Sequence, residues 1–307
     1  MKLDAVHPDF RKAAKYFPSM PLNSRLMRAV IRGLSRSLPA PKSIPEVTVS
    51  EARAAGVPLL VYTPTTPPNG AMLWIHGGGY VMGSYRMNGP DCLRYARKLK
   101  LLVVSVDYRL APQTAFPGPL DDCAAGWQWM QDNADSLNIR RDRIIVAGQS
   151  AGGGLAAALV QKLCDTSPVK PLGQVLYYPM LDDRTVLRSD IQNLKHYVWN
   201  RHNNLLGWRA YLGQEPGGSS VPEYSVPARR SHFENLPPTW LGVGSIDLFF
   251  QEDLQYAEQL QAAGVPCNVE VVEGGPHAFD AMAPKSRLTR GFMLSQYQFI
   301  RQLLSST

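Results

Sequence analysis

Residues 144–153 read IIVAGQSAGG, and this stretch decides the fold. Its apolar start predicts a buried strand, and the small residues after Ser150 open an Ala-rich helical pattern over 151–165. Between strand and helix lies Gly148-x-Ser150-x-Gly152, in which the flanking positions must be small because side chains would collide across a sharp turn. The turn raises the hydroxyl above the sheet at a helix N-terminus, where the helix dipole favours developing negative charge. We therefore predict that Ser150 is a nucleophile, with an ordinary Gly/Ser turn as the alternative.

Short apolar runs alternate with longer helical patterns along the rest of the chain, which is typical of a parallel sheet with crossover helices. The predicted strands are Val47–Val49, Leu59–Tyr62, Met72–Ile75, Leu102–Val106, Ile144–Ala147, Val175–Tyr178, Trp240–Val243 and Val269–Val272. The predicted helices cover about 90–100, 118–133, 151–165, 252–263 and 286–304. Together these elements predict an α/β fold built on one eight-stranded, mostly parallel sheet.

Three consecutive glycines follow the third predicted strand almost directly. Gly77, Gly78 and Gly79 allow the backbone to approach a ligand closely and to point N–H groups at one spot, as an oxyanion hole requires. A phosphate-binding loop is the alternative, but the chain has neither G-x-x-x-x-G-K-[ST] nor G-x-G-x-x-G with a suitably spaced acidic residue. We expect the preceding His76 to hold this loop by hydrogen bonding rather than to act as a base.

A serine nucleophile needs a general base, which in turn needs an orienting carboxylate. His277 lies in a loop immediately after the last predicted strand, where functional side chains gather in open α/β sheets. Asp247 lies just past the seventh predicted strand. We predict that His277 is the base and Asp247 the carboxylate, although Asp247 could instead cap a helix; Asp253 is the second candidate for the carboxylate.

The composition indicates a compact globular protein, and the predicted serine chemistry needs neither cofactor nor metal. Hydrophobic residues make up 45% and charged residues 19% of the 307 positions, which excludes disordered, collagenous and coiled-coil classes. The four cysteines are far apart and lack C-x-x-C spacing, so we expect free thiols rather than a zinc site or redox pair. The N-terminus lacks the apolar core of a signal peptide, and no apolar run approaches the ~18 residues of a membrane span. These features predict a cytoplasmic protein.

The net charge of +7 is concentrated near the N-terminus. Residues 1–50 carry nine Lys/Arg and three Asp/Glu, whereas residues 51–307 carry 23 and 22. A charge confined to one short segment does not indicate a nucleic-acid partner. An amphipathic helix is expected there, starting after Asn23 or Ser24, and its four arginines are predicted to form a solvated face. Membrane association and attraction of anionic substrates remain the alternatives. These arginines are Arg25, Arg28, Arg32 and Arg36.

Residues from about 70 to 280 resemble the hormone-sensitive-lipase family of serine esterases, the bacterial type IV carboxylesterases. The matching motifs are His76–Tyr80, Asp107–Pro112 with Phe116-Pro117, Gly148–Gly153, Gly244–Asp247 and Pro276–Phe279. The order Ser150, Asp247, His277 is also that of the α/β-hydrolase fold. The resemblance implies that fold, with oxyanion donors at the backbone N–H of Gly78, Gly79 and Ala151 and with Gly77 as a close neighbour.

The resemblance also implies a division of the chain into a core and a cap. Residues 1–45 and 182–225 interrupt the strand-helix alternation and are expected to form a helical cap over the active site. Residues 46–181 and 226–307 would then form the catalytic core.

Four positions depart from the family pattern. The family usually has Asp or Thr at Gln149, Glu at Gln113, Leu at Phe249 and Asp at Gln251. None of these changes removes a catalytic group. Because Gln149 is neutral where Asp is frequent, we expect a pH dependence that differs from that of relatives, and we expect Phe249 to alter the packing beside Asp247.

The sequence therefore predicts a carboxylesterase that hydrolyses small-molecule esters of short to medium chain length through an acyl-enzyme. An amidase, formamidase or thioesterase with the same triad is the first alternative, and a non-catalytic ligand binder on the same fold is the second. The sequence leaves open the physiological substrate, the enantiopreference and whether the chain forms a homodimer.

Overall fold

The computed structural model describes residues 1–16, 22, 24–192 and 194–306. Within these residues eight strands form one sheet in the order β1-β2-β4-β3-β5-β6-β7-β8. The strands are β1 (Val47–Ala54), β2 (Val57–Pro64), β3 (Gly70–Ile75), β4 (Leu101–Val106), β5 (Ile144–Gln149), β6 (Gly173–Tyr177), β7 (Thr239–Gly244) and β8 (Cys267–Val272). Only the β1–β2 and β2–β4 pairs are antiparallel. The predicted eight-stranded, mostly parallel sheet is confirmed.

The helices of the described residues cover both faces of this sheet. They are α1 (Pro8–Tyr16), α2 (Arg25–Arg36), α3 (Gly89–Leu99), α4 (Gly118–Asp132), α5 (Ala151–Thr166), α6 (Arg201–Leu212), α7 (Phe250–Ala262), α8 (Phe279–Met282) and α9 (Arg287–Ser305). The connections through α3 and α4 run in opposite directions along the sheet, and right-handed crossovers therefore put these helices on opposite faces. Every residue of β3 and β4 is buried as a result, which explains why these strands are nearly continuous apolar runs.

The predicted element bounds agree with the structure to within a few residues. The largest difference is in the first strand, which ends at Ala54 in the structure and at Val49 in the prediction. The sixth strand ends at Tyr177 instead of Tyr178, because Tyr178 has a φ of +33° and leaves the extended conformation. Four parallel strands, β3, β5, β7 and β8, end at the same edge of the sheet and lead into the four segments that carry the predicted site.

Helix α2 forms as predicted, but part of its arginine face turns towards the protein. Ser24 caps it by accepting a hydrogen bond from the Met27 backbone N–H, at 3.3 Å, while Asn23 lies outside the described residues. The prediction of a solvated arginine face is wrong for Arg32, whose Nε donates to the Val81 carbonyl at 2.6 Å. Its other nitrogens donate to the Ala111 carbonyl and to a glutamine side chain. The guanidinium faces inward because it satisfies backbone carbonyls that would otherwise lack partners.

Buried ionisable side chains hold the segment 182–225 against the sheet layer. Asp183, which is fully buried, pairs with Arg229 at 2.8 Å. Buried Glu252 at the start of α7 accepts hydrogen bonds from the backbone N–H groups of Leu181 and Asp182, at 2.7 and 3.1 Å. Burial raises the pKa of the Glu252 carboxyl well above its ordinary value. These contacts fix where the segment leaves β6 and crosses the edge of the sheet.

Cys92, Cys123 and Cys164 are buried, Cys267 is partly buried, and all four are free thiols. Among the described residues, no helix is both long enough and apolar enough to cross a membrane.

Candidate active site

Ser150 lies on a strained turn between β5 and α5. Its φ of +56° and ψ of −122° are unusual for a residue with a side chain. A methyl group on Gly148 would collide with the Gly152 carbonyl, and one on Gly152 would collide with the carbonyls of Ile75 and His76. The small residues on either side of Ser150 are therefore a steric requirement of the turn, as the sequence indicates.

The three predicted polar residues meet at the carboxyl edge of the sheet. The Ser150 Oγ lies 2.9 Å from His277 Nε2, and His277 Nδ1 lies 2.7 Å from Asp247 Oδ2. All three residues are about 5% exposed. Each atom pair is within hydrogen-bonding distance, so the arrangement can pass a proton from the hydroxyl to an imidazole whose other nitrogen is held by a carboxylate.

Phe249 and Tyr178 fix the imidazole from two sides. The Phe249 ring stands edge-on to the His277 ring at 5.2 Å, and the Tyr178 ring does so at 4.7 Å. The backbone N–H of Phe249 donates to Asp247 Oδ1 at 3.0 Å. Phe249 thus contacts both the imidazole and the carboxylate.

Asp253 does not join this arrangement. It is fully buried, and neither of its carboxylate oxygens has a hydrogen-bond partner among the described residues. Burial, reinforced by nearby Glu252 and Asp247, raises the pKa of Asp253 well above its ordinary value. Of the two carboxylates named from the sequence, the structure places Asp247 and not Asp253 against His277.

The glycine loop lies directly beside Ser150. A Cβ on Gly77 would lie 3.3 Å from the Ser150 Cβ, and Gly78 and Gly79 have φ values of +126° and +58°. Within the described part of the chain, no backbone carbonyl accepts from the N–H groups of Gly78, Gly79 or Ala151. These amides are therefore available to bind a negative oxygen next to the hydroxyl.

His76 holds the loop, in the manner expected from the sequence. It is fully buried, stacks on the Tyr108 ring at 4.2 Å and has its Nδ1 2.8 Å from the Gly77 carbonyl. The Tyr108 hydroxyl donates to the His76 carbonyl at 3.0 Å. Burial lowers the pKa of His76, which favours the neutral ring.

A hydrogen-bonded chain that sequence reasoning missed runs along the wall of the site. Asn88 Nδ2 donates to Gln149 Oε1 at 2.9 Å, Gln149 donates to the Tyr178 hydroxyl, and Tyr178 donates to Asp280 Oδ1 at 2.7 Å. Burial raises the pKa of Asp280 to about 6. Sequence position could have pointed to two of these residues, because Tyr178 directly follows β6 and Asp280 follows His277 by three residues.

The Ser150 hydroxyl opens into a cleft of about 720 Å³. Trp199, from the segment 182–225, lies over Gly79 and forms part of one wall, and Met82, Met87 and Met293 add apolar surface. The volume and the mostly apolar lining suit a small organic ligand. No described residue of 1–45 lines the cleft.

A family model described as the α/β hydrolase fold matches residues 72–281. The chain belongs to the α/β hydrolase fold family. The match begins in β3 and ends in α8, so it includes Ser150, Asp247, His277 and the glycine loop. The predicted fold is confirmed, and the resemblance drawn from the motifs is confirmed by the relatives below.

Several similar proteins are named as esterases. The chain is 31% identical to the esterase LipI of Mycobacterium tuberculosis over 257 residues, covering 81% of this chain and 80% of that protein. It is 29% identical to an ethyl acetate hydrolase of Pseudomonas putida, covering 79% and 77%. The structure of a bacterial heroin esterase matches with a TM-score of 0.90 and 32% identity over 99% of both chains.

Proposed function

We propose that the protein is a serine carboxylesterase that hydrolyses small-molecule esters through an acyl-enzyme. The observation that carries this proposal is the unbroken hydrogen-bonded line from Ser150 Oγ through the His277 ring to Asp247. A protein that only bound ligands would not need a strained serine aimed at an imidazole. The esterase names of the similar proteins support the same reaction class.

In the proposed mechanism, Ser150 Oγ attacks the ester carbonyl carbon while its proton moves to His277 Nε2. The carbonyl oxygen becomes an oxyanion that accepts hydrogen bonds from the N–H groups of Gly78, Gly79 and Ala151, with Gly77 as their close neighbour. The C–O bond to the alcohol then breaks, and the alcohol leaves with the proton from His277. Asp247 orients the ring and stabilises its charged form.

Water completes the cycle by the same route. His277 takes a proton from water, the hydroxide oxygen attacks the acyl carbon, and the ester bond to Ser150 Oγ breaks as that oxygen regains the proton. The products are the carboxylic acid and the free enzyme. Every step uses groups that this chain holds in place.

The cleft supports esters of short to medium acyl length. Trp199 closes the space over Gly79, and the enclosed volume of about 720 Å³ limits how far a chain can extend. The same acyl-transfer machinery could act on amides or thioesters, but the esterase names of the similar proteins favour an alcohol leaving group.

The test uses p-nitrophenyl esters from acetate to palmitate. We expect the highest kcat/KM at short to medium chains and a loss of at least about 10⁴-fold in kcat for Ser150→Ala. Wild-type turnover by Ser150→Ala would exclude the serine mechanism. Turnover of amides or thioesters but not esters would assign the alternative leaving group, and no turnover of any of the three would favour a ligand binder.

We also propose that residues 182–225, together with 1–45, form a cap over the cleft. Val198 and Trp199 line the cleft from the first of these segments, and Phe10 contacts Phe279 beside the site at a ring distance of 5.5 Å. Deletion of residues 1–35 tests the role of the second segment: a folded product with unchanged chain-length preference would contradict it.

The compartment that we propose is the cytoplasm, because a reducing compartment keeps thiols free. All four cysteines are free and mostly buried. Cell fractionation with an antibody to the protein tests this proposal. Recovery of the protein from a compartment beyond the cytoplasmic membrane would contradict it.

A further inference from the structure

Helix α2 turns most of its large apolar side chains away from the protein, whereas Ile31 packs against the core. Leu26, Met27, Val30 and Leu34 recur at helical spacing and share one face, yet Leu26 is 75% exposed and Leu34 is 67% exposed. No residue of α2, all of which the structure describes, is buried. A surface helix normally buries its apolar face, so this orientation leaves a hydrophobic stripe facing outward.

The polar face fixes this orientation. Arg32 Nε donates to the Val81 carbonyl at 2.6 Å, and another Arg32 nitrogen donates to the Gln113 side chain. The Ser84 hydroxyl donates to the Ser35 carbonyl at 2.8 Å. Rotating α2 to bury its leucines would break all of these hydrogen bonds and leave charge and carbonyl groups unsatisfied. The outward stripe is therefore held in place by specific contacts.

The charge around the stripe has one sign. Residues 10–45 contain eight Lys/Arg and no Asp or Glu, whereas the rest of the chain is nearly neutral. Arg25 and Arg36 are both exposed and lie near opposite ends of α2 on one flank beside the stripe. Outward apolar side chains between cationic ones match an anionic lipid interface. There the apolar side chains enter the acyl region and the cationic side chains meet phosphate groups.

We propose that α2 docks this protein on an anionic lipid surface. The helix lies in the plane of the interface, with Leu26, Val30 and Leu34 inserted and Arg25 and Arg36 at the level of the headgroups. Because α2 rests on the segment 81–84, which also contributes Met82 to the cleft, docking brings the cleft mouth near the lipid. Such docking does not require ester hydrolysis, so the two proposals can fail separately.

Vesicle flotation with the full-length chain tests the apolar stripe. We expect binding to phosphatidylcholine vesicles that contain phosphatidylglycerol, little binding to phosphatidylcholine alone, and weaker binding as salt is added. The double variant Leu26→Ser with Leu34→Ser should bind at least about tenfold more weakly, because two inserted side chains are lost. Leu187→Ser is the matched control, since Leu187 is a leucine outside α2 that is 58% exposed.

A second pair of variants tests the charges. Arg25→Gln with Arg36→Gln should weaken binding by about 30-fold, from about 1 kcal/mol for each cation at an anionic surface. Lys170→Gln with Arg301→Gln changes the net charge equally at two exposed sites outside the segment and should retain most of the binding. Circular dichroism and hydrolysis of p-nitrophenyl acetate verify that each variant is folded.

Any of three vesicle results would overturn this assignment: no binding to the mixed vesicles, equal binding to both vesicle types, or equal losses in the test and control variants. A dimer in sedimentation experiments that is lost in the Leu26/Leu34 double variant, without vesicle binding, would also overturn it and assign the stripe to a second copy of the chain. Lipid binding without turnover of any ester would leave the docking intact and contradict only the esterase function.

Discussion

The Tyr178 hydroxyl donates a 2.7 Å hydrogen bond to Asp280 Oδ1, while the Tyr178 ring stands edge-on against His277. A partly buried carboxylate is thereby connected to the proposed base through one aromatic side chain. Gln149, the residue before the proposed nucleophile, donates to the same hydroxyl. The neutral amide at position 149 thus takes part in a network that contains a titratable group.

Asp280 should make the stability of the protein fall as the pH rises through the weakly acidic range. Burial raises its pKa from 3.8 in the unfolded chain to about 6 in the folded protein, so the folded state binds more protons between these values. Relative to Asp280→Asn, the wild type should lose up to about 3 kcal/mol of unfolding free energy between pH 4 and pH 7. Urea unfolding across this range measures the difference, and a constant difference between the two proteins would contradict the assignment.

Replacement by asparagine should lower kcat strongly at Asp247 and only slightly at Asp253. Asp247→Asn removes the charge that orients and stabilises the His277 ring, and kcat should fall by about 10³- to 10⁴-fold. Asp253→Asn should keep kcat within a few-fold, because the raised pKa already favours the neutral form of this carboxyl. Steady-state kinetics on p-nitrophenyl butyrate compares the two, and similar losses in both variants would contradict the role of Asp247.

Trp199→Ala should extend the range of accepted acyl chains. The indole lies over Gly79 and lines the cleft, so its removal opens space beside the proposed oxyanion site. We expect kcat/KM to rise for octanoate and longer esters relative to acetate, by about tenfold from the added apolar contact. An unchanged chain-length profile in a folded variant would show that Trp199 does not set the limit.

Arg32→Met should loosen α2 without affecting the triad. The change leaves the carbonyls of Val81 and Ala111 without their donors and should cost about 1–3 kcal/mol of stability. Hydrogen exchange over residues 24–36 should become faster, while the exposed Arg25→Met serves as the control. Equal exchange in the two variants would contradict the anchoring role of Arg32.

The sequence was sufficient to predict the sheet and the line of proposed catalytic groups. Short, mostly apolar runs such as β4 favour buried strands, and the steric demand at Gly148 and Gly152 ties Ser150 to a turn between strand and helix. Because parallel strands end at one edge, Asp247 and His277 could be placed near that turn from position alone. These features follow from local chain geometry and from strand direction.

The sequence left Asp253 as the second candidate because it follows the same strand as Asp247, and the tertiary structure shows that Asp247 is the one that reaches His277. The network through Tyr178 and Asp280 joins residues 102 positions apart, so no sequence pattern reveals it. The orientation of α2 also depended on distant partners. Amphipathic spacing predicts which residues share a face, but Arg32 turns inward because it donates hydrogen bonds to the carbonyls of Val81 and Ala111, which lie far from it in the sequence.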